Sequence, residues 1–151
     1  MRFNIKVIVV GGLAMYVAQF LLGILTGPFI HEGVLAEAYQ ANASFWRPEL
    51  NQDPPDMAAL MPRWIATGLI AAFILAGIYD NIRSAFKGGS AIRGMKFGFI
   101  LFLFSACLSA GWSGVFNLPE MIWVWWNVEA LVIYLVGGAV LGWTVAKLAP
   151  E

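Results

Sequence analysis

A chain of 151 residues that is 60% hydrophobic, only 12% charged and has a mean hydropathy of +0.75 lies outside the balance of water-soluble domains. Nine basic residues cancel nine acidic ones, and no basic cluster is present, which excludes the electrostatic footprint of a nucleic-acid-binding protein. The one cysteine, Cys107, sits in an apolar run, so neither a disulfide framework nor a cysteine-based metal site is available.

About 20 apolar residues cross a bilayer as a helix, and four runs reach that length: 5–27, 62–82, 95–116 and 121–148. They predict an all-α, integral membrane four-helix transmembrane bundle, a single domain over 1–151. Arg2 and Lys6 precede the first run as they would in a secretory signal. That run exceeds the roughly 7 to 15 residues of a signal core, so it reads as a retained first helix.

One long loop, 28–61, joins the first two helices. Phe29, Ile30, Val34, Ala38 and Tyr39 recur near helical spacing there. Either the first helix continues past a bend at Pro28, or a separate helix lies along the membrane surface. The stretch 46–56 is acidic and punctuated by Pro48, Pro54 and Pro55, and reads as coil. Small residues repeat every four positions in each helix: Gly23 and Gly27; Gly68, Ala72 and Ala76; Gly94 and Gly98; Ala106, Ala110 and Gly114; Gly138 and Gly142. Such spacing lets helix backbones approach closely in lipid.

Orientation follows from basic residues counted by loop. Arg2, Lys6, Arg83, Lys87, Arg93, Lys96 and Lys147 fall at the termini and the second connection, whereas Arg47 and Arg63 fall on the other side. Both termini are therefore expected in the cytoplasm of a bacterium, with the chain in its inner membrane. Loop 28–61 then faces outward, and Trp46, Trp64, Trp112, Trp123, Trp125 and Trp126 lie near the outer interface.

Glu129 is the most informative residue, a carboxylate inside the fourth span. A charge at mid-bilayer costs about 2.5 to 3.5 kcal/mol on insertion scales, and such residues usually face a bundle interior, a cavity or a partner. Counting an ~1.5 Å rise per residue from the outer helix ends puts Gln19, Thr67, Ser105, Ser109 and Glu129 in one layer. Asn127 lies above that layer, and Tyr16 and Tyr134 below. An outward-facing ligand or ion pocket built from Glu129, Asn127, Gln19, Arg63, Ser109 and Tyr16 is the expectation; a structural tether of Glu129 by Arg63, Gln19 or its own proton is the alternative.

The other polar residues carry less. His31 is the only histidine, and its adjacency to Glu32 points the two side chains apart on a helix, so it reads as an interfacial residue and no metal site is expected. Asp53 and Asp56 lack the alternating oxygen ligands of a calcium loop. Asn42-Ala43-Ser44 matches a glycosylation sequon. No catalytic nucleophile and base pair, phosphate loop or dinucleotide fingerprint is visible, and no cofactor is expected.

The order of features is Gly33-Val34-Leu35-Ala36-Glu37-Ala38-Tyr39-Gln40-Ala41-Asn42, then Pro54-Pro55-Asp56, Gly94-Met95-Lys96-Phe97-Gly98, Asn117-Leu118 and Gly137-Gly138-Ala139-Val140-Leu141-Gly142-Trp143. In this order the chain resembles the uncharacterised small four-helix integral membrane proteins of bacteria, over most of its length. That resemblance brings no assigned activity, and it implies an acidic residue at the place of Glu129. Small multidrug exporters, by contrast, carry their membrane glutamate in the first helix, thiol-disulfide quinone reductases need cysteine pairs, and membrane glutathione transferases have arginine-rich signatures missing here.

Two functions are carried forward. One is small-molecule or ion binding and transport through Glu129. The other is a structural or accessory subunit, in a homo-oligomer or a larger membrane complex. An enzyme ranks behind both.

Overall fold

The computed structural model describes residues 4–149, and all regular structure among them is helical. Arg2, one of the seven basic residues behind the expected orientation, lies outside the described residues. Helix α1 (Gly12–Phe29) is flanked by two wide π-helical turns, Val7–Gly11 and Ile30–Val34, and a short α2 (Ala36–Ala41) follows. α3 spans Met57–Ile82, α4 spans Ser90–Ser113 and α5 spans Glu120–Leu148. Four stretches are long and apolar enough to cross a membrane: Val7–Val34, Met57–Ala85, Ser90–Ser113 and Glu120–Leu148. The protein is a multi-pass membrane protein with an all-α four-helix bundle.

Helix ends differ from the hydropathy boundaries for local reasons. The first helical stretch runs through Pro28 to Val34, and both features foreseen for the loop occur, a continuation past the proline and a further short helix. Pro28 removes only the one bond its N–H would have made to the Ile24 carbonyl, and the chain widens into a π turn directly after it. α3 starts five residues before Pro62 because Asp56 caps it, its Oδ1 accepting from the Ala59 N–H at 3.1 Å.

α4 and α5 form the tightest pair. A Cβ on Gly94 would land on the Gly138 carbonyl, one on Gly98 on the Tyr134 carbonyl, and one on Gly142 on the Ser90 carbonyl. The glycine pairs of the two helices thus interlock backbone to backbone, the close approach that only glycine permits. α1 packs on α5 through Gly137, which faces the Gln19 side chain, and on α3 through Gly12, which faces Phe73. Not every small residue is used in this way: beside Gly23, Gly27 and Gly111 there is open space.

Two apolar clusters mark the ends of the bundle. Val7, Met15, Ala76, Tyr79, Phe97, Leu141 and Val145 join all four spans toward the end that carries the termini. At the opposite, loop end, Ile30, Leu35 and Ala38 close on Leu118 and Ile122, with Tyr39, Trp46, Trp123, Trp125 and Trp126 around them. The first part of the loop is thereby folded against the start of α5, directly above Glu129.

Candidate functional site

Glu129 projects from α5 toward α1, and both carboxylate oxygens are engaged. Oε1 lies 2.5 Å from Thr26 Oγ1, and Oε2 lies 3.0 Å from His31 Nε2. His31 comes from the π turn beyond Pro28, and its Nδ1 lies 2.7 Å from the Tyr39 hydroxyl. Trp126, one turn before Glu129 on α5, donates its Nε1–H to the same hydroxyl at 2.7 Å, and Trp46 donates its Nε1–H to the Tyr39 carbonyl at 3.0 Å. Thr26, Glu129, His31, Tyr39 and Trp126 form one continuous polar chain. It leads from the bundle interior, where the Glu129 side chain is 13% exposed, to His31 at 36%.

The π turn makes this alignment possible. In an unbroken α-helix two residues eight apart are about 80° out of phase. A wide turn takes up one extra residue, roughly 100° of rotation, so His31 and Tyr39 return to one face and their rings stack at 5.9 Å, 14° from parallel.

Donors and acceptors fix the tautomer. An ionised carboxylate only accepts, so His31 Nε2 carries the hydrogen toward Glu129. Nδ1 of the neutral ring is then an acceptor, and it receives the Tyr39 O–H while Trp126 donates to the same oxygen. Burial raises the Tyr39 phenol above its ordinary value of 10.0; the Trp126 N–H opposes that and the Glu129 carboxylate adds to it. Tyr39 therefore stays a hydroxyl throughout the neutral range. Because its folded value lies above the unfolded one, its share of stability is present below about pH 10 and is lost as pH rises through the folded value. Tyrosinate absorbance of wild type minus Tyr39→Phe should show one phenol ionising later than a free tyrosine. In Trp126→Phe, with the opposing N–H removed, it should ionise later still.

Thr26 has one hydrogen and two acceptors. Besides Glu129 Oε1, its Oγ1 lies 3.0 Å from the Leu22 carbonyl. With Glu129 ionised, Thr26 donates to it. With Glu129 protonated on Oε1, the carboxyl donates to Thr26, and the threonine hydrogen turns to Leu22. His31 is less adaptable: a protonated ring donates from Nδ1 to the Tyr39 oxygen, which already accepts from Trp126, and the Tyr39 hydrogen then has no acceptor among the described residues. Protonation of Glu129 thus leaves every polar atom of the chain partnered.

The residues expected around Glu129 separate into three groups. Asn127 sits two positions before Glu129, about 200° around α5, and donates from Nδ2 to Ser109 Oγ on α4 at 2.9 Å and to the Trp123 carbonyl at 2.7 Å. The structure brings Asn127 and Ser109 together, but on the face of α5 away from Glu129. Gln19 lies against Gly137, eight residues or about 12 Å along α5 from Glu129, and Tyr16 covers Gly68 of α3 and stacks on Phe20. Arg63 is exposed on α3, makes no bond to Glu129, and its carbonyl accepts from Thr67 Oγ1 at 2.8 Å. Sequence reasoning passed over Thr26, His31, Tyr39 and Trp126 as partners of Glu129. The helical spacing of Phe29 through Tyr39 was a usable signal that the helix carries on past Pro28.

Among the described residues no third His, Cys, Asp or Glu joins Glu129 and His31. No protein family, curated protein or solved structure matches the chain.

Proposed function

We propose that the protein binds and exchanges protons at the paired Glu129 and His31, as the ion-handling centre of a membrane binding or transport protein. The observation that carries this reading is the hydrogen-bond chain from Thr26 to Tyr39, in which Glu129 can take up a proton without stranding a donor or acceptor, the Thr26 hydrogen turning to Leu22. A purely structural tether needs only one such arrangement. The gradient of exposure supports it as well: the carboxylate is nearly enclosed while the imidazole reaches water, so protons enter from the loop end.

On this reading the protein resides in a bacterial inner membrane with both termini cytoplasmic, supported by Lys6, Arg83, Lys87, Arg93, Lys96 and Lys147 at one end against Arg47 and Arg63 at the other. The site then faces outward. The resemblance to small bacterial four-helix membrane proteins agrees with this placement and with an acid at position 129. A subunit role in a homo-oligomer or larger complex is favoured by one observation, the open faces beside Gly23, Gly27 and Gly111, which are of the kind that close against a second helix in lipid.

Acid-base titration of the detergent-solubilised protein between about pH 2 and pH 9 tests the proton-binding reading. Wild type should take up one proton more than Glu129→Gln. Superimposable curves would mean a sealed tether and end it.

A further inference from the structure

Behind α5, on the face away from Glu129, a cavity opens between α4 and α5. It measures about 260 Å³ and is lined by Ser105, Ser109, Trp112, Trp123, Trp126 and Asn127, with Leu108 and Ala130 completing the wall. No lining residue carries a charge. Its size is at the low end for small-molecule sites, enough for a ring or headgroup rather than a whole lipid.

Several polar groups of this cavity have hydrogen-bonding capacity to spare. Serine and threonine in a membrane helix commonly return the hydroxyl hydrogen to a carbonyl one turn back, as Thr67 does to Arg63. Ser105 makes no hydrogen bond among the described residues, and Ser109 accepts from Asn127 while donating to none of them. Trp123 Nε1 and Asn127 Oδ1 are buried and unpartnered. Swapping the Asn127 oxygen and nitrogen does not help, because the amide hydrogens already serve Ser109 and the Trp123 carbonyl. An unpaired buried polar group costs about 1 to 3 kcal/mol, and two of them, together with two serine hydroxyl hydrogens that find no acceptor, line one small cavity beside three indoles and describe a site matched to a ligand oxygen. Three of the four are donors, so the complement is an oxygen acceptor on an uncharged, lipid-soluble body.

We propose that this cavity binds a neutral lipophilic molecule through a carbonyl or hydroxyl oxygen. Ser105, Ser109 and Trp123 donate to it, Asn127 accepts from any hydroxyl it bears, and the indoles of Trp112, Trp123 and Trp126 enclose its ring or headgroup. Two sources share that chemistry, a membrane quinone and the ester region of a bilayer lipid. Trp126 also donates to Tyr39, so it is a wall common to this cavity and the Glu129 chain. The site stands on its own geometry and does not depend on proton exchange at Glu129.

The test is tryptophan fluorescence of the full chain in detergent, titrated in separate arms with decylubiquinone and with a short-chain diacylglycerol. Saturable quenching or shift in either arm is expected, and the arm that saturates names the source. Ser105→Ala/Ser109→Ala should weaken that response at least about tenfold, which corresponds to about 1.4 kcal/mol, and Ala130→Phe should abolish it by filling the cavity. Ser113→Ala, whose hydroxyl donates to the Ala110 carbonyl outside the cavity, should match wild type. Responses that never saturate, or that persist unchanged in the serine double variant at native helix content, would overturn the proposal.

Discussion

Gly138→Ala should destabilise the bundle by about 3 kcal/mol, the upper end for overpacking a filled interior. The added methyl meets the carbonyl and carbon of Gly94 and the Cα of Gly98, all backbone of α4, so no side chain can swing aside to receive it. Relief requires α4 and α5 to separate along the whole Gly94, Gly98, Gly138, Gly142 seam. Gly23→Ala is the matched control, because nothing lies within 4 Å of the position its Cβ would take. There the better helix propensity of alanine should give a gain of up to about 1 kcal/mol. Denaturant unfolding in mixed micelles, followed by helix content, measures both. Equal effects of the two substitutions would contradict the interlocked seam.

The second large effect is coupling between Glu129 and His31. Glu129→Gln and His31→Gln should each destabilise by about 1 to 2 kcal/mol, because a hydrogen bond to a charged group contributes roughly 1.5 to 3 kcal/mol and the exposure of His31 reduces it. The double variant should lose little more than either single one, since the same bond is gone in both. A coupling energy near zero in this cycle would mean the two side chains act independently. Arg63→Gln, a substitution of the residue that sequence alone offered as the counter-charge, should be neutral within about 0.5 kcal/mol, as expected for an exposed position making no bond to Glu129.

The bundle was legible in the sequence because lipid imposes a simple rule: four long apolar runs mean four spans, and glycines four apart mean close helix contact. The pairing of Gly94 and Gly98 with Gly138 and Gly142 follows that rule directly. Gly23 and Gly27 share the spacing yet face open space, since spacing says which faces can pack and not which neighbour arrives.

Glu129 was equally legible, as an acid in an apolar run stands out by its desolvation penalty alone. Its partners were not. Depth counting assumes uninterrupted helices and says nothing about rotation, so it assembled Gln19 and Ser109 at the height of Glu129, with Tyr16 just below, although they face different neighbours. His31 was hidden by the opposite error. Its adjacency to Glu32 argued against a shared site on a regular helix, whereas its actual partners are Glu129, 98 positions away, and Tyr39 across a π turn. Wide turns have no compositional signature, so this rotation cannot be read from residue spacing.

Difference infrared spectroscopy of the Glu129 carboxyl in nanodiscs tests the central claim most directly, comparing wild type with Glu129→Gln and His31→Gln between about pH 2 and pH 9. The account predicts a protonated-carboxyl band in wild type that grows in on acidification, is missing from Glu129→Gln, and changes its pH dependence when His31 is replaced. A carboxyl band that is constant across this range, or one indifferent to His31, would contradict a shared proton site and leave Glu129 a structural tether.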